Sequence, residues 1–199
     1  MFKKYLLLIF MTTIIISCAK KGPHNYPNKN TDIVAFGDSL TYGYGAERSQ
    51  SYPAYLSDMI GRNIINLGVN GDTTATGLAR IDEIRKYKPY MVLVELSAND
   101  FLRKVPKNQT EKNLREIVSR IDQMGAIVVL IDTGGGLPMN AYTKMQKQIA
   151  KDYNTLFVPG IMNGIFNQSN LKSDEIHPNA AGYKIIAGKV EKVIKDYLK

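Results

Sequence analysis

Short apolar runs, each closed by glycine, serine, aspartate or proline, recur along the chain from residue 31 onward. Longer stretches with apolar residues three and four apart separate them. Thr31 to Phe36 reads as a first buried strand, with Ile33 through Phe36 apolar and Gly37 ending the run. Residues 63–67, 90–96, 126–131 and 155–158 read as four more. The near-continuous apolar run at 90–96 suits the centre of a parallel sheet. Residues 52–60, with Pro53 near the start and Gly61 past the end, read as a helix. So do 73–87, 110–124 with Thr110 as its cap, 141–152 and about 180–198, and 161–166 reads as one helical turn.

This strand–helix alternation predicts an α/β protein: a three-layer α/β/α sandwich around a five-stranded, mostly parallel sheet. A flavodoxin-like 2-1-3-4-5 strand order makes the first and third strands neighbours at the switch point, where ligands bind. Ser39 and Asn99 both fall just past the C-terminal ends of those strands. Ser39 can be a nucleophile there if a base reaches its hydroxyl and donors await an oxyanion. Gly37-Asp38-Ser39 is also ordinary turn chemistry, and an asparagine ending a strand is often a turn former. Gly71, in the Asn70-Gly71-Asp72 loop, can aim its N–H at a developing anion or simply make an Asn-Gly turn.

Two histidines occur, and His24 lies ahead of the first strand. A histidine base for Ser39 is therefore His177. Asp174, three residues earlier, is close enough for a turn to bring its carboxylate to the imidazole. His177 or Asn179 also fits as the cap of the last helix. The Gly134-Gly135-Gly136 run lacks a phosphate-cradle pattern and reads as a flexible pocket rim.

The formal charge of +8 suggests an acidic partner until the charges are located. Lys3, Lys4, Lys20, Lys21 and Lys29 precede every acid, which leaves 21 basic against 18 acidic residues in the rest. So small an excess gives no field for a nucleic-acid backbone. Residues 1–17 read as a processing signal: two lysines, then an apolar run from Leu6 to Ile16, too short to span a bilayer of about 20 residues. Ile15-Ile16-Ser17-Cys18 resembles a bacterial lipobox, which makes Cys18 an acylated N-terminus and membrane anchor in the cell envelope. An ordinary secretory peptide with an incidental cysteine is the other reading. Cys18 is the only cysteine, so the chain holds no internal disulfide. Residues 18–30 read as a flexible tether. The folded domain is residues 31–199.

Gly37-Asp38-Ser39-Leu40, Asn70-Gly71-Asp72, Ala98-Asn99-Asp100 and Asp174-x-x-His177-Pro178 occur in one order. Together they resemble the blocks of the SGNH (GDSL) hydrolase superfamily, over essentially the whole of residues 31–199. Glu95-Leu96 through Leu102-Arg103 looks most like its bacterial thioesterase/lysophospholipase/arylesterase branch. The resemblance departs at Ser97, where that block usually begins with glycine. It implies Ser39 as nucleophile, His177 as base and Asp174 as the orienting acid. It further implies the Ser39 and Gly71 N–H groups and the Asn99 amide as oxyanion donors. The expected substrate is a small ester or lipid, with Asp38, Leu40, Asp100, Phe101 and Leu137 as substrate contacts. Wall contacts are also expected from Tyr42 to Tyr44, Leu102, and Thr133 to Pro138. No metal, cofactor or nucleic acid is implied. The alternatives are an O-acetylesterase acting on a carbohydrate or cell-wall glycan, and a membrane-tethered binding lipoprotein without turnover.

Overall fold

The computed structural model describes residues 22–198. The signal segment and Cys18 lie outside the described residues. Five strands form one sheet: β1 (Asp32–Gly37), β2 (Ile64–Gly68), β3 (Pro89–Glu95), β4 (Ile127–Ile131) and β5 (Leu156–Val158). Every pairing is parallel, in the order β2-β1-β3-β4-β5. Strand alternation divides the apolar side chains between two cores. Ile33, Ala35, Met91, Leu93, Val129 and Ile131 face α2 (Tyr52–Ile60) and α7 (Ala180–Ile194). Val34, Phe36, Val92, Val94, Val128 and Leu130 face α5 (Lys107–Gln123) and α6 (Asn140–Asp152). With both faces covered, β1, β3 and β4 read as apolar runs rather than alternating ones.

The differences from the expected elements cluster around polar side chains that reach across loops. The helix expected over 73–87 is α3 (Thr74–Ala79) followed by a 3-10 segment, Ile81–Lys86. Threonines and Gly77 are poor helix formers. At the break, Arg80 instead donates to Asp72 at 2.6 Å and to the Gly37 carbonyl at 3.1 Å. The helix expected to begin at Thr110 begins at Lys107, after Pro106; Thr110 is buried inside it and donates to Asp100. Two helices were not anticipated, α1 (Ser39–Tyr42) and α4 (Ala98–Leu102), each opening directly after a strand end. Residues 161–167 form turns rather than a helix, and α7 stops at Ile194, with a 3-10 turn over Lys195–Tyr197.

The largest correction concerns residues 22–30, expected as part of a flexible tether. They dock across the N-terminal edge of the sheet. The Asn25 amide donates to the Asp122 and Ala126 carbonyls, Asn28 to Tyr90 O and Asn30 to Pro89 O. The His24 ring pairs with Asp122, and Tyr26 stacks edge-on against Tyr197. The asparagines satisfy carbonyls that would otherwise face water at the strand starts. A segment of polar residues is thereby ordered without an apolar period.

Candidate active site

The C-terminal ends of β1, β2 and β3 supply Ser39, Gly71 and Asn99, and the loop before α7 supplies Asp174 and His177. After Gly37 the chain turns at Asp38, whose carboxyl accepts the Leu40 N–H at 3.0 Å and caps α1. Ser39 is thus the first residue of a helix that starts at the sheet edge. Its Oγ lies 3.1 Å from His177 Nε2, and His177 Nδ1 lies 2.8 Å from an Asp174 carboxylate oxygen. The other Asp174 oxygen accepts the main-chain N–H groups of Ile176 and His177 at 2.9 and 2.8 Å. These bonds hold the Asp174 carboxyl below the usual carboxylate range, against the opposing effect of its partial burial. Asn179, not His177, caps α7 by accepting from Ala181 and Gly182. That cap fixes the loop on which His177 rides. Tyr44 packs on the His177 ring with centroids 4.6 Å apart.

Gly71 stands opposite Ser39 with φ +79°, a conformation that favours glycine. Arg103 donates to its carbonyl at 2.9 Å. Among the described residues, neither the Ser39 nor the Gly71 N–H donates to a protein acceptor. The Asn99 amide nitrogen donates to Asp38 at 3.1 Å and to the Asp72 carbonyl at 3.0 Å. Asp72 is in turn held by Arg80 and Thr76. The β1, β2 and β3 loops are therefore knitted together beneath the serine.

A cavity of about 210 Å³ opens beside these groups. Leu40, Tyr44, Leu102, Leu137, Met162, Phe166 and Ile176 supply most of its apolar wall, and Thr133 and Gly136 complete the rim. Several expected contacts stand elsewhere. Asp100 is fully buried and accepts from Thr74 N at 2.8 Å and Thr110 Oγ1 at 3.2 Å, joining α3, α4 and α5 rather than meeting a substrate. Phe101 packs edge-on against Tyr142, with Leu102 on the cavity side instead. This follows from the helical turn of α4, which sends adjacent side chains to different faces. Asp38 borders the cavity, but its carboxyl is buried and committed to hydrogen bonds. Tyr42 stacks under Arg48 and does not line the wall. Met162, Phe166 and Ile176 were not anticipated. Met162 and Phe166 lie in turns past the end of β5, and Ile176 is next to His177, which was the available signal.

A serine, histidine and aspartate in hydrogen-bond sequence at the C-terminal edge of a parallel 2-1-3-4-5 sheet define an SGNH-type hydrolase. The chain belongs to the GDSL-like Lipase/Acylhydrolase family, whose model matches residues 35–185. It is 32% identical to thioesterase 1/protease 1/lysophospholipase L1 of Escherichia coli K12 over 166 residues, 78% of this chain and 79% of that one. It is 29% identical to esterase TesA of Pseudomonas aeruginosa over 180 residues, 83% and 89% of the two chains. Among solved structures it resembles the psychrotrophic esterase EstA from Pseudoalteromonas sp., inhibited in that crystal by monoethylphosphonate. The TM-score is 0.75 and the identity 30%, covering 85% of this chain and 98% of that one. The chain is an ester-cleaving SGNH hydrolase.

Proposed function

We propose that the protein is a serine esterase that cleaves carboxylic esters or thioesters of short to medium acyl chain through an acyl-enzyme. The observation carrying this reading is the Ser39 Oγ to His177 Nε2 separation of 3.1 Å, with Asp174 on the far side of the ring. His177 takes the Ser39 proton as Oγ attacks the carbonyl carbon, and Asp174 orients the imidazole and stabilises its charge. The Ser39 and Gly71 N–H groups and the Asn99 amide bind the oxyanion. His177 then gives its proton to the departing alcohol or thiol. Water, activated by the same ring, hydrolyses the acyl-enzyme and regenerates Ser39. Purified Ser39→Ala is expected to be folded and to lose hydrolysis of p-nitrophenyl butyrate; near-normal kcat in that variant overturns the reading.

The cavity of about 210 Å³ is small and apolar-walled, bounded by short loops with no long insertion that could build a deep tunnel, which supports short to medium acyl chains. Each buried methylene adds about 0.8 kcal/mol, or about fourfold in kcat/KM, until the cavity is full. Across p-nitrophenyl acetate, butyrate, octanoate and palmitate, kcat/KM is expected to peak at or before octanoate. A maximum at palmitate, with micelles controlled, refutes the limit.

The lipobox-like stretch supports export and acylation at Cys18, with the body held at the cell envelope. Because residues 22–30 dock on the body, the four-residue link from Cys18 to Gly22 could reach at most about 14 Å even if fully extended. It would attach at the N-terminal edge of the strands, opposite Ser39, so the catalytic mouth would face away from the anchoring membrane. Intact-mass analysis of membrane-extracted protein tests the acylation; an unmodified N-terminus on a soluble product rejects it.

A further inference from the structure

The turn that follows β5 carries two residues of the cavity wall, Met162 and Phe166. It is not helical, so its carbonyls are not taken up by a helical ladder. Ile161 and Met162 are buried. The Ile161 and Asn163 carbonyls take no main-chain N–H among the described residues. Buried peptide groups need partners, and two charged side chains from separate elements supply them.

Lys189, on α7, meets the carbonyls. Its Nζ donates to Asn163 O at 2.6 Å, to Ile161 O at 2.7 Å and to Gly160 O at 3.5 Å. An ammonium has three donors, and each has a carbonyl of this one turn. Asp132, the residue after β4, is 1% exposed and meets the N–H groups. One carboxylate oxygen accepts the Gly134 N–H and the other the Gly160 N–H, each at 3.1 Å. The Thr143 hydroxyl lies 3.1 and 3.0 Å from the two oxygens. Asp132 thus ties the glycine rim at 134–136 to the start of the turn. Main-chain bonds follow the same seam: Ile161 N donates to Asp132 O at 2.9 Å and Met162 N to Gly134 O at 3.2 Å. Gly136 lies so close to Phe166 that a Cβ on it would fall 1.9 Å from the ring. Neither Asp132 nor Lys189 lines the cavity beside Ser39.

We infer that Asp132 and Lys189 are positioning residues for substrate selection: the carboxylate holds the 160–163 turn by its N–H groups, the ammonium holds it by its carbonyls, and the turn so held sets Met162 and Phe166 as the wall against which an acyl chain longer than acetyl packs. The inference rests on the esterase reading above and adds to it two residues that govern chain length without touching the chain. A wall fixed in advance gives each further methylene a packed surface. A wall that the substrate must order returns part of that gain as lost freedom.

Lys189→Met is the first test. Methionine keeps an apolar stem of similar length and removes all three donors. The readout is the ratio of kcat/KM for p-nitrophenyl butyrate to that for p-nitrophenyl acetate. In the variant this ratio is expected to fall at least about fourfold, the value of one buried methylene. Asp132→Asn keeps the size but exchanges an acceptor oxygen for a donor, so it frees the turn from the other side. Its ratio is expected to fall as well. A merely structural role would lower Tm, or slow both esters in proportion, and leave the ratio where it was. An unchanged ratio in either folded variant overturns the inference, because both residues hold one turn. Should only one variant fold, its ratio decides. Should neither fold, the inference is overturned, because the turn then serves the fold rather than the wall.

Ethyl and butyl acetate vary the alcohol at a constant acyl group. Their ratio in Lys189→Met is expected to stay within about twofold of the wild-type ratio. A ratio that falls with the alcohol and not with the acyl chain overturns the assignment of the wall. A wild type that cleaves acetate but gains nothing on butyrate overturns this inference alone. A wild type inactive on every ester overturns the esterase reading and this inference with it.

Discussion

Ser97 sits at the start of the helix that carries Asn99, with φ +116° and ψ −15°, a region that penalises any residue with a side chain. Holding serine there costs on the order of 1–3 kcal/mol. Its hydroxyl accepts from the buried Gln146 amide at 3.0 Å. Removing the hydroxyl leaves that donor unpaired, at about 1–3 kcal/mol. The two magnitudes oppose each other, so Ser97→Gly alone is expected to change stability by no more than about 2 kcal/mol. The balance tips once Gln146 becomes methionine, which fills the same space without a donor. In that background Ser97→Gly should stabilise by about 1–2 kcal/mol, raising Tm by about 3–6 °C for a domain of this size. Urea denaturation of the four proteins in the cycle gives the coupling directly. Equal effects of Ser97→Gly in both backgrounds would refute the reasoning, because the strain and the Gln146 bond would then be unrelated.

Asn99→Ala is expected to lower kcat about a hundredfold or more with little change in KM, since its donation matters once the oxyanion exists; a change confined to KM would make Asn99 a ground-state contact. The Asp174 carboxyl is held below its ordinary range, so its ionised form adds stability that is fully present above the unfolded value of about 3.9 and lost as pH falls through the lower folded value. Urea midpoints of wild type and Asp174→Asn should therefore separate above that range and converge in stronger acid; a gap constant with pH contradicts the assignment. Asn25→Ala, which strips the bonds to Asp122 and Ala126, is expected to cost about 1–3 kcal/mol in urea denaturation. A loss below about 0.5 kcal/mol would mean the 22–30 segment adds nothing to the fold.

The strands and the long helices were legible because their signal is repeated. Five apolar runs separated by amphipathic stretches leave one economical arrangement, and β2-β1-β3-β4-β5 is that arrangement. Tyr52–Ile60 was readable to the residue, since Pro53 and Gly61 mark its two ends in the chain itself. Elements fixed by a single distant side chain were not readable. The docking of residues 22–30 depends on asparagines meeting carbonyls about sixty to a hundred positions away, and nothing local announces it. The same holds for Arg80 reaching back to Asp72 and Gly37. Asp100 and Phe101 were expected at the pocket on the family resemblance. A helical turn gives neighbours in sequence opposite surroundings, so Asp100 went to the core and Leu102 to the cavity.

Glu95 was equally hidden, although it lies in a stretch singled out for its resemblance. A lone acid ending an apolar strand ordinarily reads as the point where the strand meets water. Here it is buried and accepts from Thr41 and Thr133, and Gly37 is the reason its main chain can meet the Asp38 turn. A Cβ on Gly37 would fall 2.4 Å from the Glu95 carbonyl and 2.2 Å from Thr41 Oγ1. No other residue allows β1 and β3 to approach so closely at their ends. The same closeness lets the Asp38 N–H donate to the Glu95 main-chain carbonyl at 3.2 Å, which ties the nucleophile turn to the end of β3. The glycine of Gly37-Asp38-Ser39 thus does more than end a strand. It brings the nucleophile turn against the end of β3, and with it Asn99 within reach of Asp38. Gly37→Ala should accordingly damage the oxyanion side of the site before it disturbs the Ser39–His177 pair. In a folded Gly37→Ala enzyme that order predicts a fall in kcat for ester hydrolysis with phosphonate labelling of Ser39 retained, and loss of labelling with an intact oxyanion response would reverse it.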